Sequence, residues 1–255
     1  MNLKVTVLSF AVVAAGAANA TTWVYDWRPG DPGSGGNAGT VRSIDSTFNS
    51  QTNRLTYSVT MNKNTGQSTS QVNGFYLAMN DGPNPKGKTG ELAFLYFDAT
   101  NANDLKLTAY GYRGEGNNSW QDGSTASGTQ NPDKILTSVK DKSWVNSLGF
   151  KTNADGSRTL SFDINATRIN NHTPKYPSSG VTWDGIEFDK NVGIWFGALS
   201  GVHSSYGHDG YLSNFGFSHI SWVDVSNQQA VPEPATMAVL GLIAAARARK
   251  RKKSA

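Results

Sequence analysis

Residues 54–61 read Arg-Leu-Thr-Tyr-Ser-Val-Thr-Met. In an extended chain Leu55, Tyr57, Val59 and Met61 share one face, and Thr56, Ser58 and Thr60 the other, because successive side chains of a strand point to opposite sides. Residues 159–165 repeat the pattern, with Leu160, Phe162 and Ile164 opposed to Thr159, Ser161 and Asp163. A period of two with one polar face predicts half-buried strands of an antiparallel sheet. Two stretches, 92–97 and 192–199, are apolar on both faces and fit central strands covered on each side. Further strands are expected over 23–27, 41–48, 72–79, 105–112, 181–188 and 212–223.

The breaks between these stretches carry turn chemistry. Residues 49–53 and 101–103 are rich in Asn, and Asn153-Ala154-Asp155-Gly156 reads as a hairpin in which glycine supplies positive φ. Residues 132–139 predict a short helix, with Asp133 near its start and Ile135, Leu136 and Val139 on one side. Residues 166–170 predict another single turn. No internal repeat is present. About ten short strands in one unit predict an all-β protein, an antiparallel β-sandwich or jelly roll. The first strand (Trp23, Tyr25, Trp27) and the last (Phe215, Phe217, Trp222) are both aromatic-rich, and are expected to pair or to neighbour each other.

Both ends of the chain differ from this body. Lys4 and an apolar stretch, 5–15, precede Ala18-Asn19-Ala20, the pattern of a secretory signal peptide cut after Ala20 by signal peptidase to leave Thr21 first. At the other end stand Pro232-Glu233-Pro234, a predominantly apolar run over 235–246, and the basic residues Arg247, Arg249, Lys250, Arg251, Lys252 and Lys253. As a helix the twelve-residue run would span about 18 Å, short of the roughly 30 Å of a bilayer core. The basic cluster would hold its end on the cytoplasmic side.

Motif, apolar run and basic cluster, in that order, resemble the PEP-CTERM sorting signal. The resemblance implies a tail that parks an exported protein transiently in the inner membrane until an exosortase cuts near Pro-Glu-Pro. Phrases of the body are also similar to those of PEP-CTERM proteins: residues 90–98, 158–165 running into 168–172, 193–196, and 206–215. They imply an extracellular β-sandwich. The expected organisation is a signal peptide over 1–20, a sandwich over 21–225, a linker over 226–231 and the sorting signal over 232–255.

Setting the two ends aside reverses the charge argument. The whole chain carries +4, but residues 21–231 hold 16 basic and 18 acidic residues. The body is therefore near −2, which removes the electrostatic footing for nucleic-acid binding. With no cysteine, an exported domain of this size must be held by packing alone.

Candidate chemistry in the body is sparse. Glycoside hydrolysis needs two carboxylates facing each other across the sugar bond. Glu187-Phe188-Asp189 supplies half of such a strand motif, but Lys190, Asn191 and Val192 follow and the second glutamate is absent. No G-x-S-x-G nucleophile elbow occurs. His203, His208 and Asp209 lie in one Gly-rich stretch, short of a full ligand set for a metal. Asp98, Asn101, Asn103 and Asp104 offer oxygen ligands that suit Ca²⁺, and a hairpin turn accounts for the same residues. Aromatics offer a glycan site. Parity places Tyr110 and Tyr112 opposite Leu105, Leu107 and Ala109, and residues 114–123 add Glu115, Asn117, Asn118, Trp120, Gln121 and Asp122. Flat rings beside amides suit a polysaccharide, while cover by a second layer would explain both tyrosines equally well.

The expected function is that of a non-enzymatic exported surface or extracellular-matrix protein, with no catalytic residues and no required cofactor. The resemblance ties it to exopolysaccharide and biofilm, with exosortase and signal peptidase as partners in maturation. The alternatives are a carbohydrate-binding module and a divergent glycoside hydrolase.

Overall fold

A computed structural model describes residues 21–31, 34–35, 41–62, 71–80, 92–112, 133–172, 193–225 and 229–232. They form two large antiparallel sheets and one small one. The first sheet contains β1 (Thr21–Val24), β3 (Val41–Asn49), β4 (Arg54–Met61), β9 (Val145–Thr152), β10 (Arg158–Asn165) and β15 (Gln229–Pro232), in the order β15-β1-β3-β4-β10-β9. The second contains β2 (Ser34–Gly35), β5 (Val72–Asn80), β6 (Leu92–Asp98), β7 (Lys106–Tyr112), β8 (Asp133–Thr137), β11 (Gly193–Ser200) and β14 (His219–Asp224), in the order β2-β14-β11-β5-β6-β7-β8. The third is the hairpin of β12 (His203–Tyr206) and β13 (Leu212–Gly216). A single helical turn, α1 (Thr167–Asn170), follows β10.

The alternation that defines β4 and β10 is realised residue by residue. Leu55, Tyr57, Val59 and Met61 are buried, as are Leu160, Phe162 and Ile164, and Phe162 stands directly opposite Tyr57 across the ladder. These side chains meet the inner face of the second sheet. Tyr57 lies 5.8 Å from Phe75 and 6.0 Å from Phe196, and Phe75 lies 6.2 Å from Phe162 between ring centroids. Two sheets packed through one aromatic core make a β-sandwich.

The turns form as their side chains dictate. Asn49 Oδ1 accepts from the backbone N–H groups of Gln51 and Thr52 between β3 and β4, and Asn53 closes that turn at φ 51°. Asn101 Oδ1 does the same for Asn103 between β6 and β7. Asp155 Oδ1 accepts from Ser157 N–H, with Gly156 at φ 80°, between β9 and β10.

Several expectations are corrected. Residues 133–137 form strand β8, not a helix, pairing with β7. Ile135, Leu136, Thr137 and Ser138 are all buried, so the stretch is covered on both sides. Four such residues fit a doubly covered strand as well as one helix face, and the open edge of β7 satisfies their backbone. The segment 212–223 is two strands, because Ser218 N–H bonds Ser200 O where the chain passes from the hairpin back to the sheet. The aromatic first and last strands do not pair with each other. β1 pairs with β15 and β3, β13 with β12, and β14 with β11 and β2. Tyr25, Trp27 and Phe215 are buried, so in these three aromatic content marks burial and not partnership. The turn over 166–170 is present as α1, and the strand expected over 181–188 lies outside the described residues.

The second sheet is apolar on its outer face too. Tyr76, Phe94, Tyr96 and Tyr110 are buried there beneath Leu212 and Phe215 of the hairpin. Gly197 of β11 stands opposite Tyr76, and a Cβ at that position would lie 2.4 Å from the Tyr76 ring. Gly197→Ala is therefore expected to displace the ring and cost about 1–3 kcal/mol, measurable as a lowered urea midpoint at unchanged slope. An unchanged midpoint would contradict this packing.

Candidate functional site

Two places bear on function: the hairpin-covered outer face, and the backbone ladder of β1 with β15. On the outer face, parity is as the sequence predicts. Leu107 and Ala109 enter the core between the sheets, and Tyr110 points the other way. The cover is what the glycan expectation lacked. Tyr110 is 1% exposed, its hydroxyl accepts from Leu212 N–H at 2.7 Å, and its ring packs edge-on against Tyr96 and Tyr211, each about 5.6 Å away. Tyr110 is thus a structural ring under the hairpin with no face for a sugar. The side chain of Tyr112, and residues Asn117, Asn118 and Trp120, lie outside the described residues.

Asp98 anchors the same hairpin. It is 2% exposed. Oδ1 accepts from Thr100 N–H at 2.9 Å and Thr100 Oγ1 at 2.7 Å. Oδ2 accepts from the hydroxyls of Ser204 and Tyr206, the latter at 2.9 Å. Burial pushes this carboxyl up, but the donors from Ser204, Thr100 and Tyr206 together outweigh it and hold the group below the ordinary aspartate range. Burial, then the adjacent Asp98 charge, drives the Tyr206 hydroxyl up, so it stays a donor. Asp104, the other calcium candidate, is paired with Lys106 at 2.7 Å. Four protein donors occupy the oxygens of Asp98, and these hydrogen bonds satisfy the buried carboxylate.

The far end of the hairpin is pinned separately. Asp209 pairs with Lys134, which also lies 5.5 Å over the Tyr211 ring, and Thr137 Oγ1 donates to Gly210 O at 2.6 Å. His203 and His208 are exposed at opposite ends of β12 and its turn. Among the described residues no three His, Cys, Asp or Glu side chains gather as a metal site. Glu115, Glu187 and Asp189 lie outside the described residues.

The second place is the β1–β15 ladder. Thr21 stands opposite Pro232, Thr22 opposite Val231, Trp23 opposite Ala230 and Val24 opposite Gln229. β15 is the edge strand of its sheet and falls across the end of the segment expected as a linker. Proline lacks an N–H and is tolerated at such an edge. The ladder brings the start of the Pro-Glu-Pro motif to the residue that follows the Ala18-Asn19-Ala20 site. No sequence signal marks 229–232 as a strand: four residues, two of them Ala and Pro, carry no readable period.

The profile of one family, the PEP-CTERM protein-sorting motif, matches residues 230–252. The chain carries a PEP-CTERM sorting signal. That signal marks an exported protein, anchored transiently in a membrane and processed by an exosortase. The match covers Pro232, Glu233, Pro234, the apolar run and all but one of the basic residues named above. No curated protein and no solved structure matches the chain. The PEP-CTERM signal therefore identifies how the protein travels, and the body must be read from its own geometry.

Proposed function

We propose that the body is a non-enzymatic surface or extracellular-matrix protein, associated with exopolysaccharide or biofilm, delivered by exosortase after signal peptidase cuts behind Ala20. The observation that carries the sorting half is the PEP-CTERM motif at 230–252. The non-enzymatic half draws support from the carboxylates. Asp141, Asp155, Asp163 and Asp209 sit below the ordinary range through hydrogen bonds led by Ser143, Ser157, Arg54 and Lys134 respectively, Asp155 at about 2. Asp98 joins them despite its burial. A general acid needs the opposite shift, so these groups serve as turn and ladder acceptors. A glycan surface, if the body has one, must use residues other than Tyr110.

In a host that has the exosortase, protein recovered from the surface or matrix is expected to begin at Thr21 and to lack the segment after Pro234 by intact mass. Deleting Pro232–Pro234, or replacing the six basic residues from Arg247 to Lys253 with Gln, should impair processing or inner-membrane retention. Full-length tail on the outer surface would overturn the sorting half. Glycan cleavage by the purified body would overturn the other.

A further inference from the structure

β1 has two edges, and both are used. One is bonded to β3, with Thr22 opposite Asn49, Trp23 opposite Phe48 and Val24 opposite Thr47. The other is occupied by β15, the residues that lead directly into the sorting motif. Only Glu233 and Pro234 separate this ladder from the apolar run at Ala235. Fully extended, two residues reach about 7 Å, so a docked β15 holds the end of the sheet close to the membrane in which the run is parked. Enzymes that take peptide segments commonly do so by pairing with an extended backbone. A strand already bonded to β1 offers only its outer edge and is fixed to a folded body.

We propose that β1 is the docking strand for the sorting segment, and that processing draws on the undocked state: residues 229–232 leave β1 before the exosortase takes the Pro-Glu-Pro motif. This rests on the sorting function proposed above. The stability of a four-residue ladder at the sheet edge then sets how fast the tail is removed, and the N-terminal strand acts as a brake on C-terminal processing.

The chain has no cysteine, so an introduced pair forms an unambiguous bond. Directly opposite residues of an antiparallel ladder lie about 4.5–5.5 Å apart at Cα, within disulfide reach. Residues displaced by two lie about 7–8 Å apart, beyond it. In full-length protein in native membranes, Trp23→Cys with Ala230→Cys, and Thr22→Cys with Val231→Cys, are expected to cross-link on mild oxidation. Thr22→Cys with Gln229→Cys is expected not to. Because cleavage follows the population of the open form, the oxidised in-register variants should lose the tail at least about tenfold more slowly than the same variants reduced. Cross-linking of the displaced pair in place of the opposite pairs would overturn the docking. Equal processing of locked and reduced protein would overturn the brake. Failure of wild type and reduced variants to be processed at all would count against the sorting function, and the cross-linking pattern would then decide the docking by itself.

Discussion

Phe75→Ala is expected to cost about 4 kcal/mol of folding stability. Phe75 is fully buried on the inner face of β5. Its ring stacks on Phe97 at 4.8 Å and meets Phe196 at 5.5 Å within its own sheet, and reaches Tyr57 at 5.8 Å and Phe162 at 6.2 Å on the opposite one. Removing it takes contact area from both sheets at once and leaves a cavity that neighbours in a ladder cannot close. For a domain of this size the melting temperature should fall by about 8–16 °C. The control is Thr159→Ala on the outer face of β10, where the hydroxyl bonds Thr60 at 3.0 Å and Asn153 at 3.1 Å. Its loss should cost about 1 kcal/mol. Equal shifts for the two variants would mean that the sheets do not face each other through Phe75.

The physics of that core was legible in the sequence wherever one face was polar. In β4 and β10 the alternation fixes which side chains enter, since a slip of one residue would send Leu160, Phe162 and Ile164 to solvent. Asn49, Asn101 and Asp155 announced their turns because a short polar side chain bonds its own backbone. The signal fades where that contrast vanishes. Ile135, Leu136 and Thr137 of β8 are buried in succession, so they carried no period. β9 is an edge strand whose Leu148 and Phe150 are only partly buried among Asn146, Ser147, Gly149 and Lys151, which blurs alternation from the other side.

The candidate sites divide in the same way. The sorting tail is linear chemistry, a motif, a run and a charge cluster, and could be read without a fold. The fate of Tyr110 could not. Parity gives its direction, but whether a ring faces solvent depends on a hairpin more than 90 residues later in the chain, Leu212 and Phe215 being the residues that seal it. Asp98 is similar: its position at a strand end suggested a turn or a cation ligand, and the donors that occupy it, Ser204 and Tyr206, come from that same hairpin. The pairing of β1 with β15 joins the two ends of the body, and no local pattern encodes a contact of that range.

The Asp98 anchor yields the second large effect. Asp98→Ala removes an acceptor that four donor groups share in a buried site, leaving the hydroxyls of Ser204 and Tyr206 to be buried unpaired or to pull the hairpin open. A cost of about 3 kcal/mol is expected, with new binding of a hydrophobic dye as Tyr110 and Phe215 lose their cover. The pH profile separates this account from simple loss of packing. Because the folded pKa of Asp98 is lowered, its contribution is fully present above the unfolded aspartate value of about 3.9 and is lost as pH falls through the lower folded value. Burial holds the Tyr206 hydroxyl protonated throughout this window, and Lys106 lies 5.4 Å over its ring, so the carboxyl of Asp98 is the group whose shift is read at the anchor. Asp98→Asn retains the shape and cannot titrate. The stability difference between wild type and Asp98→Asn should therefore be constant from neutral pH to about pH 4 and shrink below it, while the contributions of Asp141, Asp155, Asp163 and Asp209 cancel between the two proteins. A difference that stays flat to pH 2, or that grows as the solution is acidified, would show that the carboxylate charge does not hold the hairpin to the sheet.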